Sequence, residues 1–443
     1  MSDTIRPVRP VRPLRPVGGA SRSTTSRAKA PARPKAAIQT KRPAPARSAS
    51  TTKKASGSPT KRRAPAQPAR KGRRLGGKPV GRRSPTFVLL LALVAVLSLI
   101  GLVMVLSASS VTALYEYGSS WYHFKRQLIW VTIGTVAMVI VMRVAYHRWR
   151  RYTKALVLGS GLLMVLVMVP GLGVNVNGSS RWLGYGFARI QPSEFAKLAV
   201  LLFVADLLAR RSDKVGNWRV TLQPVLVVFG AFAAMLMLQP NLGTTIILAA
   251  IVFVMLFVSG VEIKPLVLTF AVGGVLATLA ATLEPYRRRR LLGFINPWKD
   301  SQNTGYQTIQ SQVGIARGGI TGSGLGQSRA KWGFLPFAHT DFIFAIISEE
   351  LGLIGAVLVV ALFVALGVAG IRTALRAPDH YGMLLATGIT SWILIQAFVN
   401  IGAVVGVLPI TGVPLPFVSF GGSSLVVTMA SVGLLLSVAR QAR

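Results

Sequence analysis

Cysteine is absent from the 443 residues of this chain, and acidic residues are scarce, with 12 Asp and Glu against 51 Lys and Arg. Without a thiol, the chain can form no disulfide bond, thiolate metal site or cysteine nucleophile. Its four histidines are scattered among different loops, at His123, His147, His339 and His380. This spacing predicts no metal cluster.

The signatures of several enzyme classes are also missing. The sequence contains no GxxxxGK[ST] loop, no GxGxxG after a strand, no HExxH and no GxSxG. The run "GSGLG" is rich in glycine but lacks those contexts, and it indicates only a flexible turn.

Apolar residues dominate what is present. Hydrophobic residues make up 51% of the chain, charged residues only 14%, and the mean hydropathy is +0.53. No single soluble core hides so much apolar sequence, so we predict an all-α polytopic membrane protein. Ten apolar segments have roughly the 20-residue length that spans a bilayer. They cover 86–106, 127–145, 155–170, 191–209, 221–238, 243–260, 263–283, 341–370, 383–407 and 418–439.

Basic residues predict the orientation of these ten segments. They follow the second, fourth and eighth segments, at Arg143, Arg148, Arg150, Arg151, Lys154, Arg210, Arg211, Lys214, Arg219, Arg372 and Arg376. By the positive-inside rule these connections and both termini are cytoplasmic. One large extracytoplasmic loop, 284–340, then joins the seventh and eighth helices.

The first 85 residues differ from the rest. They contain 24 Lys and Arg against one acid and supply +23 of the formal charge of +39. Proline occurs throughout and large apolar residues are rare, so we predict a disordered basic arm on the anionic cytoplasmic leaflet. Nucleic-acid binding is disfavoured because no aromatic residues interleave the charges. The first apolar run begins after residue 85, too late for a signal peptide.

The predicted outer loop carries four consecutive arginines in "EPYRRRRLLGF". Such charge on the outer face opposes the usual bias and favours capture of an anionic substrate. Binding of lipid phosphates at the interface is the alternative.

Two further polar groups precede or begin a predicted span. Glu194 and Lys197 in "RIQPSEFAKLAV" are spaced i, i+3 on one helical face, and they form either a structural salt bridge or part of an outward cavity. Arg181 and Trp182 lie just before this helix on the same side. They either join that cavity or anchor the chain at the interface.

Asp341 starts the eighth segment in "FAHTDFIFAIISEELG". It, or Thr340, is suited to cap the helix, and Asp341 is equally suited to serve as a general base at the outer mouth of the bundle. Glu349 and Glu350 lie about 12 Å deeper along the helix. We expect these two acids to bond other helices instead of sharing a substrate proton with Asp341.

Longer motifs resemble one family. "NIGAVVGVLPITGVPLPFVSFGGSS", "QPSEFAKLA", "RRLLGFINPWKD", "GYQTIQS", "GLGQS" and "AHTDFIFAI" are similar to motifs of the SEDS family, the FtsW, RodA and SpoVE membrane proteins of cell-wall synthesis. The resemblance covers about residues 86–440, a ten-helix SEDS membrane domain, and is stronger to the division member than to the elongation member.

The resemblance implies a peptidoglycan glycosyltransferase that polymerises lipid II into glycan strands, with Asp341 as the essential catalytic residue. It implies substrate-binding roles for Arg181, Glu194, Lys197, Arg289 and Arg290, to which we add Lys331 and His339 of the outer loop. A diphosphate leaves as a stable anion, so one base suffices if cations stabilise it. No cofactor is predicted, and the participation of a divalent cation is left open.

The resemblance also implies partners and a location. These are lipid II and the nascent glycan strand, a monofunctional penicillin-binding transpeptidase, other division proteins and the lipid bilayer, at the septum of a bacterial cytoplasmic membrane. Two other functions stay open: a transporter that flips lipid II, and a non-catalytic scaffold for division proteins.

Overall fold

The computed structural model describes residues 84–442 except 177–178, 185, 187–188 and 304. The predicted basic arm therefore lies outside the described residues up to position 83, and its disorder stays a prediction.

Twelve α-helices and one two-stranded hairpin form the described part of the chain. The helices are α1 Pro85–Tyr117, α2 Tyr122–Arg143, α3 Trp149–Leu166, α4 Pro192–Arg210, α5 Trp218–Leu238, α6 Leu242–Val258, α7 Ile263–Leu283, α8 Pro285–Ile295, α9 Tyr306–Gly318, α10 Ile343–Leu375, α11 His380–Val404 and α12 Gly422–Gln441. The antiparallel strands are β1 Gly173–Val176 and β2 Ser179–Leu183.

Each of the ten predicted apolar segments overlaps one helix, namely α1 to α7 and α10 to α12. Within the described residues, seven of these helices are long and apolar enough to cross a membrane: α1, α2, α5, α7, α10, α11 and α12. Helix α6 is apolar but shorter, at 17 residues. The chain is a polytopic helical membrane protein, and the count of ten spans stays a prediction.

Several helix ends are fixed by local side chains. The Ser84 hydroxyl accepts the Phe87 N–H at 3.2 Å where α1 begins, and the Asp379 carboxylate accepts the Gly382 N–H at 2.9 Å where α11 begins. These bonds satisfy amide groups that the first turn of a helix leaves without partners.

Helices α2 and α12 pack along most of their lengths. A Cβ atom at Gly433 would lie only 2.6 Å from the Met138 carbonyl oxygen, so glycine is required where the two backbones meet. Close approach over small residues is the usual way in which membrane helices gain packing energy.

The predicted loop 284–340 is partly helical. It contains α8 and α9, and α9 packs against α10. The all-α prediction missed the β1–β2 hairpin, because its strands have only four and five residues.

Helix α10 is broken at Gly352, whose φ of 67° and ψ of −165° are open in practice only to glycine. The segment 319–324 runs beside the break. Leu353 and Ile354 donate their N–H groups to the Gly319 and Ile320 carbonyl oxygens, at 2.9 and 3.2 Å. The segment thus supplies backbone partners that the broken helix cannot.

The run "GSGLG", predicted as a flexible turn, is bonded to α10 through its backbone. Ser323 and Gly324 donate their N–H groups to the Glu349 and Glu350 carbonyl oxygens, both at 3.0 Å. At Gly322, a Cβ atom would lie 2.1 Å from the Glu350 carbonyl oxygen. The glycines allow the chain to run in backbone contact with α10.

The side chains of Glu349 and Glu350 are buried in the same region. Glu349 accepts bonds from the Ser328 hydroxyl at 2.5 Å and the Arg329 N–H at 3.0 Å. Glu350 accepts from the Ser107 hydroxyl of α1 at 2.6 Å. The prediction that these acids bond other helices is confirmed for Glu350, which bonds α1, whereas Glu349 bonds residues of the connection between α9 and α10.

Candidate functional site

Asp341 lies in the turn just before α10 and is half-buried. Neither its carboxylate nor the Thr340 hydroxyl makes a capping hydrogen bond in the described structure, and the Thr340 hydroxyl donates back to the Phe337 carbonyl oxygen at 3.1 Å. The capping alternative is therefore not supported, and the Asp341 side chain is available for chemistry.

Burial raises the pKa of the Asp341 carboxyl from its usual value near 4 to about 6, and the positive charges of Arg290 and Arg181 oppose the rise. A carboxyl group with this pKa is mostly ionised at neutral pH, yet it is a stronger base than an exposed aspartate. Its pKa lies near the working pH, as general-base catalysis favours.

The positive charges of Arg290 and Arg181 both lower the pKa of Asp341, so both guanidinium groups act electrostatically on this carboxyl. Arg181, on β2, is held by its Nε donating to the Gln239 carbonyl oxygen at 3.0 Å and its Nη2 to the Pro240 carbonyl oxygen at 2.6 Å. These carbonyls belong to the α5–α6 turn. The guanidinium is therefore positioned before any substrate binds.

Arg289 and Arg290 lie on α8, which follows α7 after a single residue. Arg290 is half-buried and acts on the Asp341 carboxyl electrostatically, whereas Arg289 is exposed. Neighbouring helix residues point about 100° apart, so one of the pair approaches Asp341 while the other faces outward.

The segment 405–421, between α11 and α12, wraps around Asp341. Buried Asn400 donates from Nδ2 to the carbonyl oxygens of Asp341 and Val413, both at 2.8 Å. On the other side, the Ser419 hydroxyl donates to the Thr340 carbonyl oxygen at 2.5 Å. The turn that carries the carboxylate is thus held through its backbone from two directions.

Glu194 and Lys197 do form an ion pair, with Nζ to Oε1 at 2.9 Å and side-chain exposures of only 4% and 1%. The Lys197 Nζ also donates to Gln396 Oε1 at 2.9 Å, and Gln396 Nε2 donates to the Pro414 carbonyl oxygen at 2.9 Å. The ion pair is therefore connected through Gln396 to Pro414, in the segment 405–421 that lies beside Asp341. Of the two alternatives, this geometry favours the structural salt bridge.

His339 is partly buried beside His123, with ring centroids 4.6 Å apart, and contacts Phe420 edge-on. Burial, followed by the neighbouring His123, lowers the pKa of His339 to about 4. The ring is neutral at physiological pH, so any substrate contact it makes is a hydrogen bond without a cationic charge.

Lys331 is not brought to Asp341. It is buried, donates to the Gly326 carbonyl oxygen and lies 4.0 Å from the Glu350 carboxylate. Glu350 lies about 13 Å from Asp341 along α10. The position of Lys331 thus does not favour its predicted contact with the substrate diphosphate.

Three supporting residues were missed from the sequence: Asn400, Gln396 and Ser419. The first two are polar groups four residues apart inside an apolar helix, where a polar side chain is costly unless it has a purpose. The spacing of Gln396 and Asn400 could therefore have indicated a functional or supporting role from the sequence. Ser419 has no such pattern around it, because its role depends on the fold.

The chemistry of the site follows from one base and two cations. Asp341 is positioned to accept a proton, and Arg181 and Arg290 are positioned to bind an anionic group next to it. In the described residues, no group of three or more His, Asp or Glu side chains is arranged to hold a metal ion.

Known proteins share this architecture. The model of the FtsW, RodA and SpoVE family, described as a cell cycle protein, matches residues 87–443. The stage V sporulation protein E of Bacillus subtilis is 45% identical over 359 residues, which cover 80% of this chain and 97% of that protein. A probable peptidoglycan glycosyltransferase FtsW of Geobacter metallireducens is 43% identical, over 79% of this chain and 93% of its own length.

Solved structures are also similar. A chain from a study of structural coordination of polymerization and crosslinking by a peptidoglycan synthase complex matches with a TM-score of 0.67 and 30% identity, over 80% of this chain and 97% of that one. The rod shape determining protein RodA of Thermus thermophilus matches with a TM-score of 0.60 and 28% identity, over 80% and 96% of the two chains.

Proposed function

The chain belongs to the FtsW, RodA and SpoVE family, and from this premise we propose that it is a peptidoglycan glycosyltransferase that polymerises lipid II at the outer face of a bacterial cytoplasmic membrane. The observation that carries the proposal is the half-buried Asp341 carboxyl, which makes no capping bond while Asn400 holds its backbone, and on which the positive charges of Arg290 and Arg181 act.

In the proposed reaction Asp341 accepts the proton of the 4-hydroxyl group of the acceptor GlcNAc. The hydroxyl oxygen bonds to the anomeric carbon of the donor MurNAc, and the bond from that carbon to the diphosphate breaks with inversion. Arg290 and Arg181 bind the undecaprenyl diphosphate as its charge develops. Each charge-assisted contact of this kind contributes roughly 1.5–3 kcal/mol.

The other predicted residues support this centre in different ways. Exposed Arg289 is suited to guide the anionic substrate toward Arg290. Glu194 and Lys197 act as positioning residues through Gln396. His339 is suited to hydrogen-bond a sugar or phosphate oxygen. Whether a divalent cation accompanies the diphosphate is a question for the same assay with and without chelator.

The proposed topology has ten spans, both termini in the cytoplasm and 284–340 on the outer side, with the arm lying on the inner leaflet. A monofunctional penicillin-binding transpeptidase is the proposed partner, together with other division proteins at the septum. Support for the transpeptidase comes from the similarity to a chain of a peptidoglycan synthase complex. Deleting residues 2–80 and following septal localisation tests the arm.

The deciding experiment is polymerisation of lipid II by the purified full-length chain in detergent, with products separated by gel electrophoresis. We expect Asp341→Asn to abolish polymer. The matched control is Asp213→Asn, the same change at an exposed acid after α4, which we expect to be active.

Polymerisation by Asp341→Asn at the unsubstituted rate would overturn the assignment of the base. Lipid II translocation in liposomes without polymer would instead identify a flippase. A chain that does neither, but in which Asp341→Asn still supports division in cells, would identify a scaffold.

A further inference from the structure

A cavity of about 410 Å³ lies between the start of α3 and the end of α4. Arg150 beside it stacks over the Tyr381 ring, 4.9 Å from its centroid, at the start of α11. Asp341 precedes α10, whereas α11 begins after α10 ends. The cavity is thus at the opposite end of the bundle from the proposed catalytic centre.

The lining of this cavity is strongly positive. Its charged members are five cations and a single carboxylate: Arg150, Arg151, Lys154, Arg210, Arg211 and Asp206. The Asp206 Oδ1 atom accepts from the Nε atoms of Arg150 and Arg210, at 2.7 and 2.9 Å. In the described part of the chain, the terminal nitrogens of both guanidinium groups make no hydrogen bond, so Asp206 holds the two groups in place without using those donors.

Three of the five cations pair with no carboxylate in the described residues, and of these Arg211 donates to the Val220 carbonyl oxygen. Arg151 and Lys154 are exposed and spaced i, i+3 on α3, which puts them on one face. Among the residues that the structure describes, neither pairs with a carboxylate. Their like charges repel, so the arrangement is stabilised when an anion binds between them.

One wall of the cavity is apolar. Phe203 and Leu207, spaced i, i+4 on α4, line it and are only partly buried by the bundle. A free phosphate ion would use the cationic rim and leave this wall unused. An amphiphile with a phosphate head and acyl chains would cover both surfaces.

We propose that this cavity, the α3–α4 pocket, binds the phosphate of an anionic phospholipid from the leaflet at that end of the bundle. The connections that carry Lys154 and Arg210 are the ones predicted to be cytoplasmic, so the ligand comes from the inner leaflet. Basic pockets between membrane helices at cytoplasmic ends recognise anionic headgroups in this way.

The test uses the purified full-length chain, so the basic arm is present in every sample. Native mass spectrometry measures retention of phosphatidylglycerol and of phosphatidylcholine by the unchanged chain and by Arg151→Gln/Lys154→Gln. We expect the double variant to bind phosphatidylglycerol roughly 25-fold more weakly, since each of the two basic residues near an anionic headgroup contributes on the order of a fivefold factor. Phosphatidylcholine retention and the melting temperature without added lipid should not change.

The matched control is Arg372→Gln/Arg376→Gln, which removes two exposed charges at the same end of the bundle but outside the pocket. Equal weakening in both double variants would mean general surface attraction and would overturn the proposal.

Inorganic phosphate separates the two possible sources of the anion. If millimolar phosphate displaces phosphatidylglycerol, the site takes a soluble anion and the lipid assignment is wrong. A second variant, Phe203→Ala, removes part of the apolar wall. Weaker phosphatidylglycerol retention in this variant supports the lipid, and unchanged retention contradicts it.

Discussion

The pH dependence of polymerisation reports directly on the charges around Asp341. With a pKa of about 6, this carboxyl is about 90% ionised at pH 7 and about 10% ionised at pH 5. Since only the ionised form accepts a proton, kcat should fall about ninefold over that interval as the pH falls. In the variant Arg290→Gln one of the two cations that hold the pKa down is lost. The acid limb should therefore move to higher pH.

The assay is the initial rate of lipid II polymerisation from pH 5 to 8.5 at saturating substrate, each rate divided by the plateau rate of the same protein. At pH 6 the unchanged chain should keep about half of its plateau rate and Arg290→Gln roughly a tenth to a third. Arg288→Gln, an exposed arginine on the same helix, is the matched control. An acid limb near pH 4 in the unchanged chain, or equal shifts in both variants, would refute this account of the site.

Three further predictions test the supports of the site. Lys197→Met leaves buried Glu194 without its partner and should lower the free energy of unfolding by about 3–5 kcal/mol, seen as a lower melting temperature in detergent. Adding Glu194→Gln should recover most of this stability, and no recovery would contradict a structural role. Gly352→Ala forces a strained backbone and places Cβ 2.4 Å from the Ile320 carbonyl oxygen, so the melting temperature of this variant should fall well below that of Gly274→Ala, whose Cβ has open space. Equal melting temperatures would refute the requirement for glycine at the break in α10. Asn400→Leu should lower kcat by roughly tenfold to a hundredfold with little change in KM, and an unchanged kcat would show that the Asp341 turn needs no such support.

Much of the bundle was predictable from the sequence because a membrane helix is a local property. A long apolar run must satisfy its backbone hydrogen bonds internally, so each of the ten segments was bound to be helical. Asp341 was found for a similar reason, since a carboxylate at the end of an apolar run needs an explanation. The opposed effects of burial and Arg290 on its pKa, in contrast, depend on where α8 lies.

The contacts that the sequence did not predict join distant parts of the chain. Nothing in the sequence indicated that Lys331, predicted to meet the diphosphate as a cation of the predicted outer loop, lies 4.0 Å from the Glu350 carboxylate, and its substrate contact stays a prediction. The Asp341 turn is held through its backbone carbonyls by Asn400 and Ser419, which are 59 and 79 residues away from the groups they bond. No local pattern encodes such separations.

The break at Gly352 has a practical consequence for exchanging parts between relatives. The first part of α10, which follows Asp341, is joined to the segment 319–324 by backbone bonds on both sides of Gly352. A chimera that replaces 284–340 alone would place a foreign segment 319–324 against the native α10, and nothing would fix the register of the backbone bonds between them. The segment to exchange should run to Ile354, because both partners in these backbone bonds then come from one parent.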